Sequence, residues 1–358
     1  MEIWQTNSWP NFEHDASSTE EALAVFSQRL GAIQGLQAGL TADERQEIFL
    51  RAVTNEAVSS FAIEGVDLRE EDIQASVVAS LAHRGAEPQR RADAIAELML
   101  DAREGQGVLD AAKLFFWHEL LFHGIELEDK GCWRTFPMII AKGATAGKEE
   151  VLYTPPPEDQ VPEMMAKFLE ALEGDKRPLP IKAALAHLWF ESIHPFSDGN
   201  GRIGRALVEY IFAKEAALPF SLSRQIDADK QGYYEALQAG RKADGDRINA
   251  TAFVLWVLQR LIAGIDAAED EARFLVRRNA FFTVHRGMSE RSESVLRRLF
   301  KEGPRRAGEG ISAAPYAKIA KVSAATASRD LAELEEKGVI IRGPEGGRST
   351  RYYLNFPE

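Results

Sequence analysis

The sequence predicts a mainly α-helical body that carries one β-hairpin, followed by a small α+β domain at the C-terminal end. Three observations lead there. Apolar residues recur at three-to-four spacing through most of residues 18–288, the period changes only between Phe136 and Tyr153, and from residue 289 the order becomes three helices and two strands.

Leu23, Phe26, Leu30 and Ile33 give residues 18–36 one apolar face. Thr41 and Glu44 then have the spacing of a capping box, opening a helix expected to run to about Glu64, where Gly65 supplies a left-handed stop. Further helices are expected over 70–83, 88–104 and 110–122. Met138, Ile139 and Ile140 lead into the turn-rich segment 141–150, and Val151-Leu152-Tyr153 resume a strand that Pro155, Pro156 and Pro157 stop. Helical patterns return over 158–173, 179–192, from Gly201, and over 227–242, 246–264 and 266–288. In the tail, Val295, Leu296 and Leu299 mark a helix over 290–302, and Ala314–Lys321 form a second. Ser323 caps a third that carries Ala327, Leu331 and Leu334. Val339–Ile341 and Tyr352–Leu354 flank a Gly/Pro/Arg-rich turn, 343–350, and the whole order spells a winged helix-turn-helix.

The 358 residues carry 45% hydrophobic and 27% charged side chains, which excludes a mainly disordered chain. Net charge is −12, but residues 289–358 carry +3, leaving −15 on residues 1–288, so the body is not built to coat nucleic acid. The single cysteine, Cys132, excludes a disulfide framework and a cysteine zinc site, and suits a reducing compartment. The first fifteen residues are acidic and lack an apolar stretch, and no apolar run approaches 18 residues. A cytoplasmic protein without a signal peptide or membrane span is expected.

The chemistry concentrates in His194-Pro195-Phe196-Ser197-Asp198-Gly199-Asn200-Gly201-Arg202-Ile203-Gly204-Arg205. Pro195 ends the preceding helix at His194, and the next begins near Asn200 or Gly201, so Gly199-Asn200-Gly201 leads into a helix amino terminus with free N–H groups. Arg202 and Arg205 share one face of its first turns, where cations oppose the helix dipole by about 0.3–1 kcal/mol each when exposed. They make sense facing a polyphosphate, which guanidinium groups bind in bidentate fashion. Asp198 is an oxygen ligand placed for the Mg²⁺ such a phosphate brings, and His194 is a base that works near neutral pH. The set points to phosphoryl or nucleotidyl transfer. A second segment, Ser60-Phe61-Ala62-Ile63-Glu64-Gly65, puts a carboxylate at the unfavourable end of a helix dipole among Ala57, Val58, Phe61 and Ala62, and a buried acid there needs a cation.

The twelve-residue segment matches every defined position of the His-Pro-Phe-x-Asp/Glu-Gly-Asn-Gly-Arg-x-x-Arg signature, and the chain therefore resembles the Fic (filamentation induced by cAMP) family. The likeness extends to Gly131-Cys132-Trp133-Arg134, Tyr153-Thr154-Pro155-Pro156, Ala186-His187, Ser223 and Tyr233-Tyr234-x-Ala236-Leu237, covering about residues 50–262. It implies a Fic-type helical core in which a protein hydroxyl attacks the α-phosphate of ATP, with AMP transferred and pyrophosphate released. By resemblance His194 is the base, Asp198 the Mg²⁺ ligand, and Gly199, Asn200 and Gly201 the α/β-phosphate cradle. Arg202 takes the β-phosphate and Arg205 the γ-phosphate, with Ile203 and Gly204 between them. By the same resemblance Tyr233 and Tyr234 bound the nucleoside, and the hairpin strand Val151-Leu152-Tyr153, also placed among the ATP-binding residues, is a flap that pins the target by strand addition. Arg241 stands where some relatives carry an asparagine for the nucleoside.

The string Ser60-x-x-x-Glu64-Gly65 resembles the Fic inhibitory motif, which implies that Glu64 pairs with Arg205 and keeps the γ-phosphate out of its productive position. The same glutamate assists AMP removal in some relatives. The resemblance further implies a target protein bearing a hydroxyl, modification of the chain itself, and a homodimer. Thr326, Ser328 and Arg329 lie on the early face of the third tail helix, and Arg342, Arg348 and Arg351 in the wing, as candidate DNA contacts. Against DNA stand Glu333, Glu335, Glu336 and the small tail charge. The alternative function is thus a DNA-binding regulator with the core as nucleotide-sensing switch. The expected domains are a helical extension (1–40), the helices with the inhibitory motif (41–105), the catalytic core (106–265), a linker helix (266–288) and the winged helix domain (289–358).

Overall fold

The computed structural model describes residues 2–142, 150–215, 217–301, 303–344 and 350–357. The chain divides into two compact units, residues up to Gly35 with Arg45–Ala268, and Leu36–Glu44 with residues from Glu269 on.

In the first unit a short strand β1 (Phe12–Glu13) precedes α1 (Ala16–Ala38), which buries Phe26 and Ile33 as its apolar spacing requires. α2 (Ala42–Ile63) opens on the predicted capping box: the Thr41 N–H donates to Glu44 Oε2 at 2.9 Å and the Glu44 N–H to Thr41 Oγ1 at 3.3 Å. Gly65 closes it at φ +75°. α3 (Glu70–Ala82), α4 (Arg91–Glu104) and α5 (Ala111–Leu121) follow, then the antiparallel hairpin of β2 (Ile140–Lys142) and β3 (Glu150–Tyr153). Its predicted turn, 143–149, lies outside the described residues. α6 (Val161–Gly174), α7 (Leu179–Ile193) and α8 (Asn200–Ala213) complete the centre, where α7 and α8 pack on each other and α8 on α4. α7 is apolar almost all round and is buried accordingly.

Four local expectations give way. The helix expected over 227–242 is α10 (Lys230–Gly240) and starts later, because the Asp229 carboxylate caps it by accepting from Gly232 N–H at 3.3 Å; the short α9 (Leu222–Asp227) before it was not foreseen. Residues 88–90 precede α4, which starts only at Arg91. Residues 246–250 do not begin a helix. β4 (Ala243–Asp244) and β5 (Arg247–Asn249) pair antiparallel, and β1 adds to β5 in parallel with Phe12 opposite Ile248, a small sheet beyond the one hairpin foreseen. Finally, 246–264 and 266–288 are not two helices, because α11 (Thr251–Val284) runs through without a proline or cap to break it. One 18-residue window of α11, at mean hydropathy 1.4, is apolar enough to cross a membrane by length and composition, and half of that window is buried in the fold.

The second unit contains α12 (Glu290–Lys301), α13 (Pro304–Gly308), α14 (Ala313–Ala320), α15 (Ala324–Glu336), β6 (Ile340–Arg342) and β7 (Tyr352–Leu354). β6 and β7 pair antiparallel, and Ile311 bridges to Tyr352. Phe281, Leu296, Tyr316, Leu331 and Leu334 form its core. Ser323 caps α15, its side chain accepting the Thr326 N–H at 3.2 Å. α13 was not foreseen. Arg348 and most of the turn 343–350 lie outside the described residues.

Candidate active site

The site forms in the first unit where α7 ends, α8 begins, and the last turns of α2 lie against them. His194 caps α7 in the left-handed region (φ 52°, ψ 61°), consistent with the helix-averse position before Pro195. Its N–H donates to Phe190 O at 2.9 Å and its carbonyl accepts from Arg134 Nε at 2.9 Å. Arg134 is fully buried and also donates to Phe136 O at 3.1 Å and to Pro156 O, so one guanidinium ties the histidine loop to both feet of the hairpin. The matching stretch 131–134 was visible in sequence, but its structural work was not.

The loop into α8 is closed from within. Asn200 accepts the Phe196 N–H at 2.9 Å and returns its own amide to Phe196 O at 2.8 Å. The Asn200 side chain, expected as part of a phosphate cradle, is thus engaged in loop shape, and the first-turn N–H groups of α8 are left without partners inside the helix. Gly199 turns the chain at φ +83°. His118 supports the loop from α5: Nδ1 accepts the Gly131 N–H at 3.0 Å, Nε2 faces Asp198 O at 3.2 Å, and the ring stacks on Phe196.

Arg205 is fully buried and donates to Ser60 Oγ at 2.9 Å, Ser60 O at 2.7 Å and Glu64 Oε1 at 2.9 Å. Burial opposes its charge, but the Glu64 carboxylate outweighs that and holds the guanidinium above its ordinary range. Glu64 crowds Gly201, where a Cβ would lie 2.6 Å from Glu64 Oε1 and 3.0 Å from Arg205 Nη1. Only a glycine lets the carboxylate reach over the start of α8. Arg202 lies between the faces of Phe61 and Phe122, its Cζ 5.2 and 5.3 Å from the ring centroids, and pairs with Asp198 at 3.0 Å.

A cavity of about 1170 Å³ opens beside these groups, bordered by Glu64, His194, Gly201, Leu152, Lys230 and Tyr234. Tyr234 is 42% exposed, and burial with the Glu64 charge pushes its phenol up to about 12. Tyr233 also borders the cavity, but its hydroxyl meets His187 Nε2 at 2.9 Å. The three strand residues part company. Val151 is exposed and Leu152 reaches the cavity, whereas Tyr153 is a core residue and not a nucleotide contact: it is buried, its hydroxyl donates to Ser192 O at 3.0 Å, and Arg241 covers its ring at 4.7 Å. Ser223 likewise faces inward, its N–H donating to Glu56 at 3.0 Å.

Asp198 is the oxygen donor within reach of solvent, its side chain 61% exposed, with Oδ1 already accepting from the Gly199 N–H and Arg202. A lone carboxylate fits Mg²⁺ that arrives with phosphate oxygens and keeps its waters. Among the described residues no group of three or more His, Cys, Asp or Glu could hold a metal without such help. Sequence reasoning passed over Glu191, three residues before His194. Its carboxylate lies 3.7 Å from His194 Nδ1 and 3.3 Å from Arg241 Nη2.

Residues 108–212 match the Fic/DOC family, and residues 3–82 match a domain of unknown function, DUF4172. A probable protein adenylyltransferase of Aquifex aeolicus is 28% identical over 217 residues, 57% of this chain and 65% of its own length. The Fic protein adenylyltransferase of Nematostella vectensis is 38% identical over 92 residues, 25% of this chain and 21% of its own. The chain thus spans less than two thirds of the curated relatives it matches. The crystal structure of a Fic family protein from Desulfovibrio desulfuricans aligns over 93% of this chain and 95% of its own, at TM-score 0.51 and 24% identity, a likeness of fold.

Proposed function

We propose, from the match of residues 108–212 to the Fic/DOC family and from similar proteins named protein adenylyltransferases, that this protein transfers AMP from ATP to a hydroxyl side chain of a target protein, under restraint by Glu64. One observation carries the reading. Buried Arg205, at the start of α8 beside a nucleotide-sized cavity, is held at 2.9 Å by the glutamate that closes α2.

His194 takes the proton of the target hydroxyl. The hydroxyl oxygen bonds to the α-phosphorus, and the bond from that phosphorus to the bridging oxygen of the β-phosphate breaks, so that pyrophosphate leaves. The α8 amino terminus and Arg202 hold the α- and β-phosphates, and Arg205 takes the γ-phosphate once Glu64 releases it. Mg²⁺ on Asp198 and the phosphates supplies charge neutralisation when bound. The exposed hairpin edge at Val151 and Leu152 receives the target segment by strand addition, with Tyr234 beside the base. Without Glu64, Arg205 keeps its two bonds to Ser60 and gains a free face toward the phosphate.

The same reading takes in the chain itself as an acceptor, a homodimer, Glu64 positioning a water for AMP removal, and a cytoplasmic setting without a membrane span. The test uses α-labelled ATP, Mg²⁺ and cell lysate with wild type, Glu64→Gly, and Glu64→Gly with His194→Ala. Label entering protein only with Glu64→Gly supports a braked transferase; equal labelling by wild type and Glu64→Gly removes the brake.

A second reading gives the C-terminal unit a DNA role. The three-residue turn between α14 and α15, with Lys321 left-handed at φ 55°, and the β6–β7 pair have the order of a winged helix. Ser328 and Arg329 are exposed on α15, with Thr326 half-buried beside them. Retardation of a short duplex that depends on Arg329 separates this reading from a tail that contacts only protein.

A further inference from the structure

Beneath His194 lies a buried ionic cluster that the transfer chemistry, as outlined, leaves without a task. Glu191 sits one helical turn before the histidine and is almost wholly buried, and Arg241 is buried beside it. Arg241 Nη2 reaches both the carboxylate, at 3.3 Å, and the Glu191 carbonyl. The other carboxylate oxygen faces α8: a Cβ on Gly204 would lie 3.3 Å from Glu191 Oε1 and 3.0 Å from His187 Nδ1. A buried carboxylate this close to an imidazole and fixed by its own guanidinium is the arrangement that selects a histidine tautomer and steadies the imidazolium once it forms.

We propose that Glu191, anchored by Arg241, is the positioning residue for His194, keeping the proton on Nδ1 so that Nε2 faces the cavity as the base. The proposal rests on the reading of His194 as base. It also gives Arg241 a task at a position where the resemblance suggested a nucleoside contact: the side chain is buried at the cavity wall, with its guanidinium on Glu191. At 3.7 Å the Glu191–His194 contact is an ion-pair distance and not yet a hydrogen bond, as is common before substrate tightens a catalytic pair. The surrounding groups are consistent with this. Burial acts to raise the Glu191 pKa, but His194, Arg241 and His187 outweigh it and leave the carboxyl at about 2, so it remains a carboxylate. Arg205 from α8, Tyr233 and Tyr234 from α10, Tyr153 from β3 and Glu64 from the end of α2 also face this cluster.

The test works in the full-length Glu64→Gly protein, where transfer is measurable. Glu191→Gln is expected to lower kcat on the order of 10–100-fold with the KM for ATP within about twofold, since only the base is disturbed. Because that change orphans Arg241, the paired Glu191→Gln, Arg241→Met variant removes both charges and is expected to show the same kcat loss with a cooperative melt. Imidazole NMR of His194 gives a readout independent of turnover. Its neutral form is expected to lose the single Nδ1–H tautomer in both variants. Unchanged kcat and unchanged His194 tautomer, with His194→Ala still inactive, overturn the positioning role and leave the base reading intact. Transfer that survives His194→Ala overturns both.

Discussion

At the scale of single residues, hydrogen bonding fixes protonation states that composition cannot. His118 receives the Gly131 N–H on Nδ1, so its other nitrogen carries the proton toward Asp198 O, and the ring is neutral. Burial is the main cause that lowers its pKa to about 4. An unfolded histidine titrates near 6.5, so the unfolded chain binds a proton first as pH falls. Stability from this site is therefore complete above about pH 6.5 and is lost as pH falls toward 4, by roughly 2 kcal/mol between pH 7.5 and pH 5. We expect urea midpoints of wild type to drop across that window, and those of His118→Phe to drop less. The variant should be weaker at pH 7.5, since the Gly131 N–H and Asp198 carbonyl lose their partner. Parallel slopes for the two proteins would exclude His118 as the titrating group. Nothing in the sequence around this histidine names its partners, which come from positions 13 and 80 residues away.

At the scale of elements, α2 is held against the core by more than its last turn. Glu56, two turns before Glu64, is buried and accepts from Ser221 Oγ at 2.7 Å, the Ser223 N–H at 3.0 Å and the Ser223 hydroxyl. These bonds tie the middle of α2 to the start of α9. Glu56→Ala should let the helix end loosen, and labelling of target protein should rise several-fold over wild type while staying below Glu64→Gly. A melt run alongside separates loosening from unfolding, because unfolding lowers labelling. No rise in a folded Glu56→Ala protein would place all of the restraint in Glu64 itself. α2 was legible from both ends, through the Thr41–Glu44 box and Gly65, because caps are local chemistry. The sheet β1–β5–β4 was not, since strands of two or three residues carry no period and Phe12 pairs with Ile248 across a separation of 236 positions. The Glu191–Arg241 pair was hidden for the same reason: each residue alone looks like an ordinary surface charge.

At the scale of the whole molecule, the charge is split as the two candidate activities are. Residues 1–288 carry −15 and contain every residue assigned to AMP transfer, whereas residues 289–358 carry +3 and present exposed Arg329 and Arg342. An acidic body repels duplex DNA, so any duplex binding must come from the tail and fall steeply with salt. Crossed variants in the full chain separate the activities. In the Glu64→Gly protein, Arg329→Ala with Arg342→Ala should weaken duplex retardation about tenfold or more while leaving labelling unchanged, because neither residue lines the cavity beside His194. Arg205→Ala should do the reverse, abolishing labelling by removal of the γ-phosphate partner without altering retardation. If instead retardation is absent at low salt in every variant, the DNA reading fails and the tail contacts protein. If ATP changes retardation by wild type but not by Arg205→Ala, the two units communicate, and the core also serves as the nucleotide sensor of the regulator reading.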